Sequence, residues 1–292
     1  MNQRSKTRQY ALHYIYAKLQ NGDTGFSEEC FWEIALEKQR DAFRRSMAKL
    51  IIHLARKSQD CFRLLEQRAE TLTLASEADI RSAMMRDELK RYVRSSSIFE
   101  SKLISLSTTL SDKRSNDSNA LNEANLDLLQ YASVLLALGE DLTRVLKDAV
   151  QYRAEVEPLL AVMKRRAAQF EQLVPLAKLD TLVANAENKA LLNAFNELED
   201  LRTSAFDLAT KALAEQERWE KIIEPLLTNY SLQRLGLLDK CTLFLMLYEL
   251  KVLELPLPVI VSESSKLANS FSGGKSAPFI HGILAAAAKV EA

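Results

Sequence analysis

Glycine and proline are scarce in this 292-residue chain, with 7 and 6 copies, where ordinary usage gives roughly twenty and fifteen. From Phe26 to Glu157 there is no proline and one glycine, Gly139. Hairpins and tight turns depend on those residues, so the shortage argues against a sheet protein and predicts an all-α fold. Cysteine is sparse too. Cys30, Cys61 and Cys241 are isolated and odd in number, which excludes a disulfide framework or a C-x-x-C zinc site and suits a reducing cytoplasm. No apolar run approaches the ~18 residues a membrane helix needs. The three histidines, His13, His53 and His281, have no His, Cys or carboxylate at metal-ligand spacing, so no metal or cofactor is expected. No Ser–His–Asp or Cys–His set can be assembled, and the chain does not read as an enzyme.

Net charge is absent as well: 39 cations balance 39 acids. A protein that coats nucleic acid electrostatically is excluded, and any such contact must come from a local patch. One exists at the start, where Arg4, Lys6, Arg8 and Lys18 precede the first acid, Asp23. An acid-free, arginine-bearing start also fits an organelle transit peptide.

What is present is hydrophobic periodicity, in a composition that is 47% hydrophobic. A first helix is predicted over about Lys6–Gln20, ended by Asn21-Gly-Asp-Thr-Gly25. Helical spacing continues from Glu28 to about Leu74 and over 77–94. Residues 95–119, rich in Ser, Asn, Asp and Thr, suit a loop. From Leu128 to Met163, apolar residues alternate steps of three and four, as in a coiled coil or long bundle helix that Pro158 kinks or splits. Flanking Leu129, Leu136 and Leu146 broaden the stripe and favour a bundle. A further helix is predicted over 196–223, then a core helix over Leu237–Val252, and last Val259–Asn269 and Pro278–Ala288. Lys164-Arg165-Arg166 reads as a wet helix face, and so does the acidic group Glu197, Glu199 and Asp200.

Three blocks bear on function. Arg4-Ser-Lys-Thr-Arg-Gln-Tyr-Ala-Leu-His-Tyr-Ile-Tyr16 is a basic, aromatic-bearing opening. Ile223–Leu250 contains Asn229-Tyr-Ser-Leu-Gln-Arg-Leu-Gly-Leu-Leu-Asp-Lys240, and Val259–Leu284 contains Ser270-Phe-Ser-Gly-Gly-Lys-Ser-Ala-Pro-Phe-Ile-His281. In this order they resemble the NusB family of transcription antitermination factors. Tyr230 stands where that family favours Trp, Phe244 where it favours Arg, and Ser262 and His281 where it favours Asn. The resemblance implies an all-α NusB-like bundle built from residues 1–40 and 196–292, interrupted by a coiled-coil-like helical insertion over 41–195.

The resemblance implies binding to single-stranded boxA-like RNA together with a NusE-type small-subunit ribosomal protein. That pairing serves an antitermination complex with RNA polymerase on ribosomal RNA operons. It assigns RNA contact to Arg4, Lys6, Arg8 and Tyr16, to Lys240, and to Lys275, Ser276, Phe279 and His281. Partner contact falls to Leu227, Tyr230 and Asp239. Cations neutralise phosphates, aromatic faces stack unpaired bases, and a helix N-terminus attracts phosphate. Family members can hide the RNA surface by self-association, so the resemblance leaves the oligomeric state open, with a homodimer among the states it allows. The alternative is a protein–protein adaptor with this fold, acting in ribosome biogenesis without boxA-specific binding. Gly273-Gly-Lys-Ser276 also invites a phosphate-loop reading, but that motif needs glycine where Asn269 stands and a strand before it.

Overall fold

The computed structural model describes residues 3–57, 59–111, 118–228, 231–271 and 275–290. Among them are twelve α-helices and no strand. They are α1 (Gln3–Gly25), α2 (Glu28–Ala35), α3 (Glu37–Arg56), α4 (Gln59–Ala75), α5 (Ala83–Ser111) and α6 (Ser118–Asp148). Then follow α7 (Arg153–Leu173), α8 (Lys189–Ala214), α9 (Gln216–Ile223), α10 (Leu237–Lys251), α11 (Leu257–Phe271) and α12 (Ala277–Ala287). The chain divides into two compact units, Met1–Lys38 with Asn196–Ala292, and Gln39–Phe195. No helix of the described residues is long and apolar enough to cross a membrane.

In the first unit α10 is central and packs on α1, α9, α11 and α12. Its residues Cys241 to Glu249 are buried without a break, because a helix apolar all round must be covered on every side. Helix α1 breaks at Gly22, where φ is 65°, a left-handed conformation that glycine adopts at little cost. Ser27 Oγ accepts the Cys30 amide at 3.4 Å and so starts α2. Next to it Tyr14 stacks on Trp32, with ring centroids 5.7 Å apart. Burial, with the charge of Glu28 second, pushes the Tyr14 hydroxyl up to about 12. Trp219 is fully buried and donates Nε1–H to the Ala212 carbonyl at 2.8 Å, as a buried indole requires.

In the second unit α4, α5, α6 and α7 each pack on two neighbours in ring order, the arrangement of a four-helix bundle. Leu128, Leu135 and Leu142 are fully buried along α6, and Leu129 and Leu146 nearly so. This is the wide stripe of a bundle helix. Three expectations need correction. Residues 95–111 are helix, because Phe99, Leu103 and Leu106 fill the core at helical spacing; 112–117 lie outside the described residues. The long stripe breaks at Ala149–Tyr152, well before Pro158, which sits inside α7. There Tyr152 donates its hydroxyl to Asp79 Oδ2 at 3.2 Å, tying the α6–α7 connection to the one between α4 and α5.

The third correction concerns the run at 164–166. Lys164 and Arg165 are exposed, but Arg166 is fully buried. Its guanidinium lies 5.6 Å from the Phe62 ring centre and 5.2 Å from that of Phe170. Nη1 donates to Glu100 Oε1 at 3.1 Å. Its position on α7 repeats the core register of Leu159, Met163 and Phe170, so turning it outward would turn those residues out with it.

Candidate nucleic-acid interface

Helix α1 meets α11 through two pairs of contacts. Ser5 Oγ donates to Glu263 Oε2 at 2.8 Å, and the rings of His13 and Phe271 meet edge-on, centroids 4.6 Å apart. The two helices therefore run in the same direction. Helix α12 turns back along α11, with Ser265 Oγ 2.8 Å from His281 Nε2. Through α11 the basic opening and the start of α12 belong to one unit. At 1.5 Å of rise per residue, Lys6 lies about 10 Å along α1 from His13.

The expected RNA residues fare differently. Arg4 and Lys6 are exposed. Arg8 is not: it is 6% exposed. Nε donates to both oxygens of Glu249, at 2.9 and 2.7 Å, and Nη1 lies 3.3 Å from Glu263 Oε2. A phosphate cannot reach a guanidinium held in this way, so Arg8 is an internal tie and not a surface contact. Sequence alone gives it the same standing as Arg4 and Lys6. Its acceptors lie 241 and more positions away, and no local pattern announces them.

Burial dominates the two acids but with opposite results. The Glu249 carboxyl is raised by desolvation and, less, by Glu263, against the pull of Arg8. Desolvation also pushes Glu263 up, but hydrogen bonds from Lys266 and Ser5 and the charge of Arg8 outweigh it and leave it lowered. Lys266 Nζ reaches Glu263 Oε1 at 2.5 Å, a cation that sequence reading missed.

Tyr16 is half-buried against the core. Lys240 Nζ pairs with Glu220 Oε1 at 2.7 Å and sits 5.4 Å from the Phe244 ring centre. The hydrogen bond from Lys240 is the main reason Glu220 stays below its ordinary value. Phe244 is fully buried, so the position where an arginine was the expected family residue belongs to the core.

At the start of α12, Lys275 is exposed, Ser276 is the N-cap and Pro278 is in the first turn. Proline is well placed there, since its missing N–H has no helical partner at that position. Phe279 is 37% exposed while Ile280 beside it is fully buried. Phe279, Ser276, Gly236, Asp239 and Thr228 line a cleft of about 520 Å³ between the N-termini of α10 and α12. Each helix start carries the positive end of its dipole, and at α10 the first-turn carboxylate of Asp239 stands against it. Leu227 is half-buried against the same core. Tyr230 and the Gly273-Gly274 pair lie outside the described residues, although the element before that pair is helix α11 and not a strand.

Comparison with known proteins gives a consistent family. The model of the NusB family matches residues 163–289. Transcription antitermination protein NusB of Bacillus licheniformis is 34% identical over 126 residues, covering 42% of this chain and 94% of that protein. The Listeria innocua protein of the same name is 33% identical over 124 residues, with 42% and 94% covered. That of Halalkalibacterium halodurans is 28% identical over 123 residues, with 42% and 91% covered. No solved structure matches the chain. The family match begins inside the second unit and leaves α1 out.

Proposed function

The chain belongs to the NusB family, and from that premise we propose that it is a transcription antitermination factor whose first unit binds single-stranded boxA-like RNA together with a NusE-type ribosomal protein. The function is binding rather than catalysis. In this reading the RNA-binding body is residues 1–38 with 196–292, and α1 serves as its first helix. The 39–195 unit is read as an insertion between the two parts of that body.

The observation that carries the reading is Phe279, half out of the core beside exposed Lys275 and at the rim of the cleft between two helix starts. An aromatic face stacks an unpaired base, the lysine and the helix start neutralise the adjoining phosphate, and the cleft gives a second base room. Arg4 and Lys6 add phosphate contacts, with Tyr16 and His281 at the edges. Leu227 and Asp239 form the partner's side, and Lys240 acts there by holding Glu220.

The test is fluorescence anisotropy of a short boxA-like RNA with the intact chain and its ribosomal-protein partner. Phe279→Ala should cost about 1–3 kcal/mol, the usual loss of one stacked base, and Lys275→Ala should weaken binding with a smaller salt dependence. Affinity indifferent to both substitutions would overturn the site. The adaptor reading draws on the burial of Arg8 and Phe244. It predicts partner binding that survives with no boxA-specific RNA affinity.

A further inference from the structure

Helix α3 carries a lopsided charge in a chain whose cations and acids cancel. From Gln39 to Lys57 stand six cations, Arg40, Arg44, Arg45, Lys49, Arg56 and Lys57, against one acid, Asp41. The helix dipole favours cations in the last turn and accounts for Arg56 and Lys57. It does not account for Arg40 in the first turn or for Arg44, Arg45 and Lys49 in the middle. Packing does not require them either, since the buried face is Met47, Ala48, Ile51, Ile52, Leu54 and Ala55.

At 100° per residue, Arg45, Lys49 and Arg56 fall within about 40° of one another around the axis, over about 17 Å of its length. Lys49 and Arg56 are exposed, and Arg45 keeps 31% of its side chain exposed. Asp41 pairs with Arg45 at 2.9 Å, and Glu187 pairs with Lys57. Arg56 Nη2 donates at 3.1 Å to a neutral group, Ser107 Oγ, so that bond leaves its charge in place. The same bond sets the end of α5 beside α3. There residues 101–111 hold four serines, two threonines, one cation (Lys102) and no acid. On the other flank Arg44 donates to Asn119 at 3.2 Å, and Glu123 is the acid near the start of α6.

We propose that this face of α3 is a second, sequence-independent site for the phosphate backbone of RNA, built into the 39–195 unit and additional to the boxA-type site, on whose RNA-binding reading it rests. Cations interleaved with hydroxyls and amides are what a phosphodiester strand needs. A protein partner needs apolar or aromatic anchors in addition. Here Phe43 and Leu50 are half-buried and packed against the core, so the face offers mainly charge and hydrogen bonds.

The experiment compares the intact chain with the triple variant Arg45→Gln, Lys49→Gln, Arg56→Gln, and with the charge-keeping pair Arg45→Lys, Arg56→Lys. Each is titrated by anisotropy with a 30-nucleotide unstructured RNA lacking boxA and with the short boxA-like RNA, across a potassium chloride series. On the long RNA the triple variant should lower the slope of log K against log salt by about 2, from roughly 0.7 per phosphate contact on a single strand. The lysine pair should keep the slope, and Phe279→Ala should weaken the short RNA without changing the long-RNA slope. An unchanged slope in the triple variant, with Phe279→Ala still harmful on boxA, overturns the α3 site and leaves the functional reading standing. Wild-type protein that binds neither RNA overturns both. Equal displacement of the long RNA by polyglutamate of matched charge overturns the assignment to RNA.

Discussion

Arg8 Nε lies 2.7 Å from Glu249 Oε2, both side chains buried, joining the first turns of α1 to the end of α10 across 241 positions. With Glu263 as the second acid, the guanidinium is enclosed by two carboxylates on two further helices. Two acids and one buried cation leave a net negative charge in the interior, which Lys266 and Ser5 relieve at Glu263.

Removing that cation should be severe. Arg8→Ala leaves two uncompensated buried acids, and breaking a buried pair in this way costs about 3–5 kcal/mol. Urea denaturation should show it, while Arg4→Ala and Lys6→Ala shift the midpoint little. Adding Glu249→Gln to Arg8→Ala should restore part of the loss, since one buried charge is then gone. A midpoint for Arg8→Ala equal to that of wild type would mean the triad holds nothing.

Acid should weaken the first unit in two steps. Burial lowers His13 from 6.5, so the unfolded chain takes up its proton first. The stability linked to neutral His13 is present above pH 6.5 and is lost as pH falls through its depressed folded value. Glu263 is held below 4.5, and its contribution is present above pH 4.5 and fades below that. Glu249, raised by burial, has the opposite sign: the folded state takes up its proton first as pH falls toward 4.5, which offsets part of the first step. In His13→Phe, melting temperature measured against pH should lose the first step and keep the second.

Thiol reactivity should separate the three cysteines. Burial pushes Cys241 up to about 12, and Cys61 is buried, while Cys30 is exposed. The thiolate is the reacting species. A chromogenic disulfide should therefore titrate one thiol in native protein and three in denaturant, with Cys30→Ser abolishing the native reaction.

Phe244 tests whether an arginine can be put back. Phe244→Ala should cost about 3–5 kcal/mol, as for other buried aromatic truncations. Phe244→Arg should cost at least as much, because a charge enters a fully covered site with no acid supplied to pair it. A stably folded Phe244→Arg with improved RNA affinity would show that α10 can turn this position outward.

Backbone geometry makes Gly22 a local test. A side chain there meets nothing within 4 Å, and φ is 65°. Gly22→Ala should cost about 1–3 kcal/mol through conformation alone, visible as a midpoint shift, with RNA affinity unchanged.

Helix positions were readable because periodicity is local: α10, α11 and α12 fall within a few residues of where their apolar patterns place them. The stretch 95–111 was misread because Ser and Thr, weak helix formers, occupy its outward face while Phe99, Leu103 and Leu106 hold the inward one. Packing outweighed composition there. In the site, Lys275 and Phe279 stand exposed at the start of α12. Arg8 and Arg166 went the other way, because a cation's burial depends on acids and rings supplied by distant helices.

The sequence by itself determined the all-helical class and the family, since both are carried by spacing and by residue order along one strand of text. Which arginines face water was decided only in three dimensions. Glu249 and Glu263 must fold against α1 before Arg8 can lose its hydration, and Phe62, Phe170 and Glu100 must surround Arg166. Desolvation and pairing are properties of the assembled neighbourhood, so a one-dimensional pattern does not encode their outcome in any single segment.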